Sequence, residues 1–492
     1  MSAGSWHTTC PVLPNFAWEA VITLSANPDT HMDLATADAS RPGTIAPGGL
    51  PLSEKEAERH IGTVCFKTGP PGVIGTELEW LVCDDSNPSA PVPFDRVREI
   101  LNRLKDAGSM PKAGLLTLEP GGQVELSSAP ANDLASCVAA ASEEMSVLRQ
   151  AFAADGLTLT GHGLDLHRPP SRVLELPRYA AMEEFFDRRG PWGRLMMCST
   201  ASVQVCIDAG LDDRSASGYQ FRWRLMHALG PVLVAAFANS PLRQGKPTGW
   251  KCTRQLVWSR LDPYRTKAPN GAEPSWPVRA GPHQADADPR EDLIGYAMDA
   301  EVLCLRKPDG QPWTVPSGLT FRDWLRGARL NGSALPGPTS DDLSYHLTTL
   351  FPPVRARGHL ELRMIDQQPD DGWIIPVALV AALADDPVAA DAAMAATEPV
   401  WCATRVPAQR RAETDDAGPW LRAARCGPSD PVIARAVTDC FAAADASLAR
   451  SGAPVAIRTA VTDFAERYPH RNRCPADDIL DIIGARKGQE QS

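Results

Sequence analysis

Along Gly75-Thr76-Glu77-Leu78-Glu79-Trp80-Leu81-Val82, polar and apolar residues alternate, the period of a strand with one buried face. Glu77 and Glu79 therefore share one side, and Leu78 and Trp80 the other. Three more stretches repeat the pattern. Gly121 to Ser127 sets Gln123 and Glu125 against Val124 and Leu126. Thr200 to Asp208 puts Ser202, Gln204, Cys206 and Asp208 on one face. His359 to Met364 does so for His359, Glu361 and Arg363. Four strands with one apolar face and one face of acids and amides predict a curved antiparallel sheet. Its apolar side packs on helices, its concave side is polar, and the class is α+β.

Helical periods fill the intervals. Ser53-x-x-Glu56 has the form of a capping box. Asp95 is read as the cap of a helix with Val97, Ile100, Leu101 and Leu104 on one face, ended by Gly108. Leu115–Leu118 and Gln123–Leu126 form a hairpin across the turn Glu119-Pro120-Gly121-Gly122. Asn132 opens a long helix to about Gly156. Residues 157–166 read as a strand or strand pair, Pro177 opens a short helix, and Met196 to Asp208 reads as one strand. Residues 213–238 read as a helix kinked at Gly230-Pro231. Short strands are expected at 302–305 and 313–315, and a helix at 321–328. After Trp373 the chain is Ala-rich and helical. Residues 243–290 read as a long loop whose Trp250, Arg254, Trp258, Asp262 and Arg265 can close over a substrate. Residues 1–50 show no sustained period and are expected to be a poorly structured extension. Met32 is an alternative start. Residues 51–468 are expected to form one catalytic domain, and 469–492 a short helix and polar tail.

With 492 residues, 43% hydrophobic and 22% charged, the composition is that of an ordinary globular chain. A net charge of −11 argues against a nucleic-acid or anionic-membrane binder. No apolar run is long enough to span a bilayer, and the N-terminus lacks the layout of a secretory signal. Twelve scattered cysteines without a C-x-x-C pair fit a reducing compartment, so the cytoplasm is expected.

Charge changes the picture more. Like carboxylates on one strand face repel, so something positive must offset them. Converging Glu and Gln oxygens without Cys/His spacing suit magnesium, or manganese, better than zinc. Magnesium at such a site usually recruits substrate phosphates. Arg363 lies on the same face as Glu361, and its planar fork suits phosphate; the competing reading is an ion pair with a neighbouring acid. His162 and His167, five apart, read as loop histidines rather than ligands.

In order, the motifs are Gly75-Thr76-Glu77-Leu78-Glu79, Pro120-Gly121-Gly122-Gln123-Val124-Glu125-Leu126-Ser127, Pro177-Arg178-Tyr179, Met196-Met197-x-x-Thr200-x-x-Val203-Gln204-Val205, Phe237-Ala238-Asn239-Ser240-Pro241, Arg254-x-x-x-Trp258 and Leu360-Glu361-Leu362-Arg363. The series resembles the plant and bacterial type of glutamate–cysteine ligase, and most of all the actinobacterial branch that serves ergothioneine biosynthesis. The likeness covers roughly residues 53–450.

The resemblance implies a glutamine synthetase-like fold, a sheet forming an active-site funnel with helices outside. It implies ATP, magnesium, glutamate and cysteine as ligands. The γ-carboxylate of glutamate would attack ATP to give γ-glutamyl phosphate, and the amine of cysteine would displace phosphate. Glu77, Glu79, Glu125 and Glu361 become the candidate metal ligands, with Gln204 as a neutral one. Arg363 is the candidate for phosphate stabilisation. Arg178 and Arg254 would pair with substrate carboxylates, while Met197, Thr200 and Trp258 line the amino-acid pockets. Cys206 stands where the resemblance leads one to expect Asn. Two rivals stay open: another carboxylate–amine ligase or guanidino phosphotransferase of the same fold, and a binding or regulatory protein with a degenerate site. Retention of all four glutamates argues against the second.

Overall fold

The computed structural model describes residues 50–490 apart from Pro111, 275–287, Asp309, Asn331 and 404–417. The expected N-terminal extension therefore lies outside the described residues, save Leu50. The strands are β1 (Ile74–Asp84), β2 (Leu115–Leu118), β3 (Val124–Ser127), β4 (Leu157–Thr160), β5 (Ser202–Asp208), the small hairpins β6–β7 (Leu242–Arg243, Lys246–Pro247) and β8–β9 (Arg329–Leu330, Ser333–Ala334), then β10 (Val354–Ala356) and β11 (His359–Asp366). Seven of them form one sheet in the order β10-β11-β5-β1-β3-β2, with β4 also on β1. Every pairing in it is antiparallel, as the one-sided patterning predicts. β1 is long enough to carry β3 and β5 along its first half and β4 along its end, from Leu81↔Thr160 to Asp84↔Leu157.

The apolar sides of the four motif strands are buried: Leu78, Trp80, Val124, Leu126, Val203, Val205, Leu360 and Leu362 all belong to the main core. Helices α1 (Glu54–Cys65), α2 (Phe94–Asp106), α3 (Leu134–Ala154), α4 (Pro177–Asp187), α5 (Trp192–Ser199), α6 (Tyr219–Ala236), α7 (Thr253–Ser259), α8 (Pro263–Thr266) and α9 (Pro289–Asp299) come before β10. The apolar side is covered by α3 on β1 and β4, α6 on β11, and the later helix Ile374–Asp385 on β5. α1 starts with the expected capping box of Ser53 and Glu56. α2 buries the four expected residues but is entered from Pro93, leaving Asp95 inside its first turn, where an acid still favours the helix dipole. α3 is capped by Asp133, whose side chain accepts from Ser136 N at 2.7 Å.

Three further expectations are corrected. Met196 and Met197 lie on α5, and the strand begins only at Ser202. An apolar run alone cannot separate helix from strand. Here Gly193 lets α5 close on α4, since a Cβ there would lie 2.1 Å from that of Phe186. Secondly, the stretch from 243 is not a plain loop, because it holds α7 and α8. Asp262 caps α8 and Arg265 is fully buried on it. Thirdly, 302–305 and 313–315 are not strands, although Leu305 N donates to Trp313 O at 2.9 Å. α6 runs through Gly230-Pro231 without a break. Gly230 is there for packing, as a Cβ would lie 1.9 Å from the Trp420 ring. The C-terminal helix spans Pro475–Glu490 and is tied down by Ala476 N to Ala238 O, 2.9 Å, and by Lys251 to Asp477, 2.9 Å.

A second apolar cluster is separate from the main core. It gathers Leu164, Phe185, Phe186, Met196, Met197, Val257, Leu261 and Tyr345, with Trp258 packed against it.

Candidate active site

Strand register assembles the polar face. Glu77 sits opposite Gln204, Glu79 opposite Glu125, and Glu361 opposite both Cys206 and Arg355. Across these strands runs one hydrogen-bonded chain. Gln204 Nε2 donates to Glu79 Oε1 at 2.8 Å, and Gln204 Oε1 accepts from Arg363 Nη1 at 2.5 Å. Arg363 also pairs with Glu361. Arg355 grips the same carboxylate through Nε and Nη2 at 2.8–3.0 Å. Arg363 gains this reach from a bulge, for β11 slips register against β5 between Leu362 and Ile365.

The charges sort along the row. Burial alone would raise Glu361, but Arg355, Arg363 and Arg357 hold it far below the usual carboxylate range. Burial and then the charge of Glu361 push Glu77 up to about 7, against the pull of the same arginines. At the other end burial, then Glu77, Glu119 and Glu79, push Glu125 well up. Burial also raises the Cys206 thiol well above its ordinary value, with Glu77 and Glu361 adding to it.

One oxygen from each of Glu79, Glu119 and Glu125 lies within 4.8 Å of the others. An all-oxygen trio, whose Glu125 is raised by burial and then by neighbouring acids, fits a hard divalent cation. Of the five ligands expected from sequence, Glu79 and Glu125 enter this trio. Glu77, Gln204 and Glu361 lie beside it on the same face, with both amide atoms of Gln204 engaged and Glu361 held by two arginines. Glu119 reads from sequence only as a turn residue. The signal was there: β2 pairs Thr117 with Glu125, so an acid two residues further falls on the same face. Its place is fixed because Gly121 lets the hairpin tip meet α5; a Cβ there would lie 2.3 Å from Cys198 O. Sequence reasoning misses Arg355 as well, hidden in a three-residue strand.

The other expected residues gather around the second apolar cluster. Arg254, on α7, donates from Nη2 to Arg363 O at 2.8 Å. Its guanidinium stands 5.7 Å from the Trp258 ring centre. Arg254 is only 2% exposed, yet its Nε and Nη1 have no hydrogen-bond partner among the described residues. Trp258 stands edge-on to Phe351 at 6.1 Å. Arg178, at the start of α4, donates to Thr348 Oγ1 and O at 2.9 and 3.0 Å and lies over Tyr345 at 5.1 Å. Met197 is buried in the cluster. Thr200 Oγ1 donates to Met196 O at 2.6 Å, and Thr200 O accepts from Gln123 Nε2 at 2.9 Å. That bond joins β3 to the α5–β5 corner.

The sequence profile of glutamate–cysteine ligase family 2 (GCS2) matches residues 73–492, a span that takes in the whole acidic row. The chain belongs to this family. The motif resemblance is thereby borne out. Two relatives are a "glutamate–cysteine ligase EgtA" of Mycolicibacterium smegmatis, 38% identical over 436 residues (88% of this chain, 92% of that one), and that of Mycobacterium tuberculosis H37Rv, 37% over 453 residues (91% and 95%). A chloroplastic glutamate–cysteine ligase of Arabidopsis thaliana is 30% identical over 340 residues, 65% of this chain and 60% of that one. Among solved structures, a glutamate–cysteine ligase from Francisella tularensis in complex with AMP covers 85% of this chain and 86% of its own at 11% identity, with a TM-score of 0.45. No described helix of this GCS2 chain is long and apolar enough to cross a membrane.

Proposed function

We propose that the chain is an ATP-dependent glutamate–cysteine ligase joining the γ-carboxyl of L-glutamate to the amine of L-cysteine. The observation that carries this reading is the polar face itself. A carboxylate trio, Glu79, Glu119 and Glu125, ends one side of the row, and Glu361 clasped by Arg355 and Arg363 ends the other. With a divalent cation in the trio, such a row would neutralise a chain of phosphates from one end and Arg363 from the other.

The γ-carboxylate oxygen attacks the γ-phosphorus of ATP, the bond to the ADP oxygen breaks, and an acyl phosphate results. The cysteine amine then attacks the acyl carbon, phosphate leaves, and the nitrogen loses its proton. Neither step needs a protein nucleophile; both need positioning and charge stabilisation. Magnesium held by Glu79, Glu119 and Glu125 would supply neutralisation of phosphate oxygens. Arg363 faces the transferring group, with a buried Nε that has no partner among the described residues. Arg254 offers Nε and Nη1 to a substrate carboxylate. Arg178 serves a second carboxylate, and Met197, Thr200 and Trp258 wall the amino-acid pockets. Glu77, Gln204 and Glu361, the other ligands expected from sequence, stand beside the trio, where Gln204 joins Glu79 to Arg363 and Glu361 holds Arg355 and Arg363. Cys206, a neutral thiol in this setting, leaves the row's charge unchanged. Location in the cytoplasm and service to ergothioneine biosynthesis complete the reading.

Purified protein given ATP, magnesium, glutamate and cysteine should release ADP and phosphate in step with γ-glutamylcysteine. ADP release that ignores cysteine, or that requires a different amine, would transfer the chain to another carboxylate–amine ligase activity.

A further inference from the structure

The last residue of β11, Asp366, is 1% exposed; the charge of Arg254 reaches it, although no described hydrogen bond joins the two side chains. Its carboxylate is nonetheless fully used. Oδ2 accepts from Asn239 N at 2.9 Å and from Ser240 Oγ at 2.7 Å, while Oδ1 accepts from the Cys252 thiol at 3.2 Å. Ser240 Oγ in turn accepts from Arg254 N at 3.2 Å, and the Cys252 thiol accepts from Gln255 N at 3.4 Å, capping α7. One buried acid thus holds the Asn239-Ser240 corner and the first turn of the helix that carries Arg254. The approach is tight, since a Cβ on Gly163 would lie 2.2 Å from the Asp366 carboxyl carbon. At the far end of the same path, Arg254 Nη2 holds the carbonyl of Arg363 inside the β11 bulge.

We propose that Asp366 is a positioning residue: through Ser240 and Cys252 it orients Arg254, so that Arg254 offers Nε and Nη1 to the substrate carboxylate and steadies the bulge that aims Arg363. This rests on the reading of Arg254 as a carboxylate-binding group. A buried carboxylate with three donors costs desolvation that a hydrophobic residue would avoid. Its return is geometry: the donors come from two chain segments, and each is held at a fixed angle to the strand. An arginine whose own fork is spent partly on backbone is pre-organised, and misplacement by a fraction of an ångström weakens both remaining contacts.

The test is a mutant cycle read by glutamate binding in calorimetry and by separate KM values for glutamate and ATP. Arg254→Lys is measured first and should weaken glutamate; if it does not, the Arg254 reading fails and this proposal falls with it. Asp366→Asn keeps size but turns one acceptor into a donor. It should raise the glutamate Kd and KM by roughly tenfold, the effect of removing one charge-assisted hydrogen bond. The ATP KM should stay within about twofold. The double variant Asp366→Asn/Arg254→Lys should bind glutamate no worse than Arg254→Lys alone, since both act through one guanidinium. Should Asp366→Asn not fold, Ser240→Ala carries the same cycle, because it leaves the carboxylate in place and cuts the Ser240 link, removing both its bond to Asp366 Oδ2 and the acceptor of Arg254 N. Effects that multiply in the double variant overturn the proposal while leaving the Arg254 reading intact. So does a reduced active fraction with glutamate affinity unchanged.

Discussion

At the scale of single residues, the acid row sets a pH dependence whose sign follows from the shifts. Glu77, pushed from 4.5 up to about 7 chiefly by burial, binds a proton in the fold that it has lost in the unfolded chain. Stability from that proton is fully present below the ordinary carboxylate value and is lost as pH rises towards about 7. Glu125, raised further by burial and its neighbours, acts in the same direction. Glu361, held low by its arginines against burial, acts oppositely: its contribution is complete above the ordinary carboxylate value and is lost progressively on acidification below it. The row's own contribution to the metal-free melting temperature, read as wild type minus Glu77→Gln, should therefore fall as pH goes from about 5 to about 8, whereas His162, His227, His346 and His359, lowered chiefly by burial, act oppositely below about pH 6.5. Magnesium should flatten that slope, because a cation replaces the protons. Glu125→Gln should flatten it without magnesium, raise the metal-free melting temperature, and abolish the response to magnesium. A slope unchanged by either treatment would remove the row as a cation site. Sequence disclosed Glu77, Glu79, Glu125 and Glu361 because strand alternation is local. It did not disclose which acids would meet, since that depends on pairing across the sheet: Glu119 was concealed by its turn, and Arg355 by the brevity of β10.

Among elements, the β2–β3 hairpin is the one whose placement the trio depends on. Its tip rests on the end of α5 only because Gly121 has no side chain; a Cβ would lie 2.3 Å from Cys198 O, with backbone rather than a flexible side chain in the way. Gly121→Ala should lower stability and raise the magnesium needed for half-maximal activity, both measurable on one preparation. Gly295→Ala serves as the control. That glycine lies within α9 with nothing inside 4 Å of a new Cβ, so stability should rise by about 0.5–1 kcal/mol with the magnesium requirement unchanged. The elements most legible in sequence were those with a clean period, β1, α2 and α3. α5 reads as strand because Leu195, Met196 and Met197 are apolar on a helix that is buried by packing on α4, and tertiary burial erases the polar face that would have marked the period.

For the molecule as a whole, the first described tie of the N-terminal region to the rest is Leu52 N to Pro338 O at 2.8 Å, followed by the Ser53 capping box. A chain beginning at Pro51 should retain melting temperature and activity; loss of either would show that residues 1–50 contribute to the fold. The α+β class and the antiparallel sheet could be read from four strand motifs, whereas strand order could not, because nothing local states that β11 joins β5. That order has a consequence for synthesis. Arg363 and Gln204 are 159 positions apart, and chains emerge from the ribosome N-terminus first. β1, β3 and β5 are therefore available long before β10 and β11, so the nascent sheet carries its carboxylates without Arg355 and Arg363. During that interval β5 is also an open edge, the kind of surface that invites pairing with a second chain. Translation that stalls before β11 leaves a half-sheet that is both electrostatically frustrated and adhesive. Completion of the last strand closes the edge and delivers the counter-charge in one event, so the finished active site and resistance to aggregation arrive together.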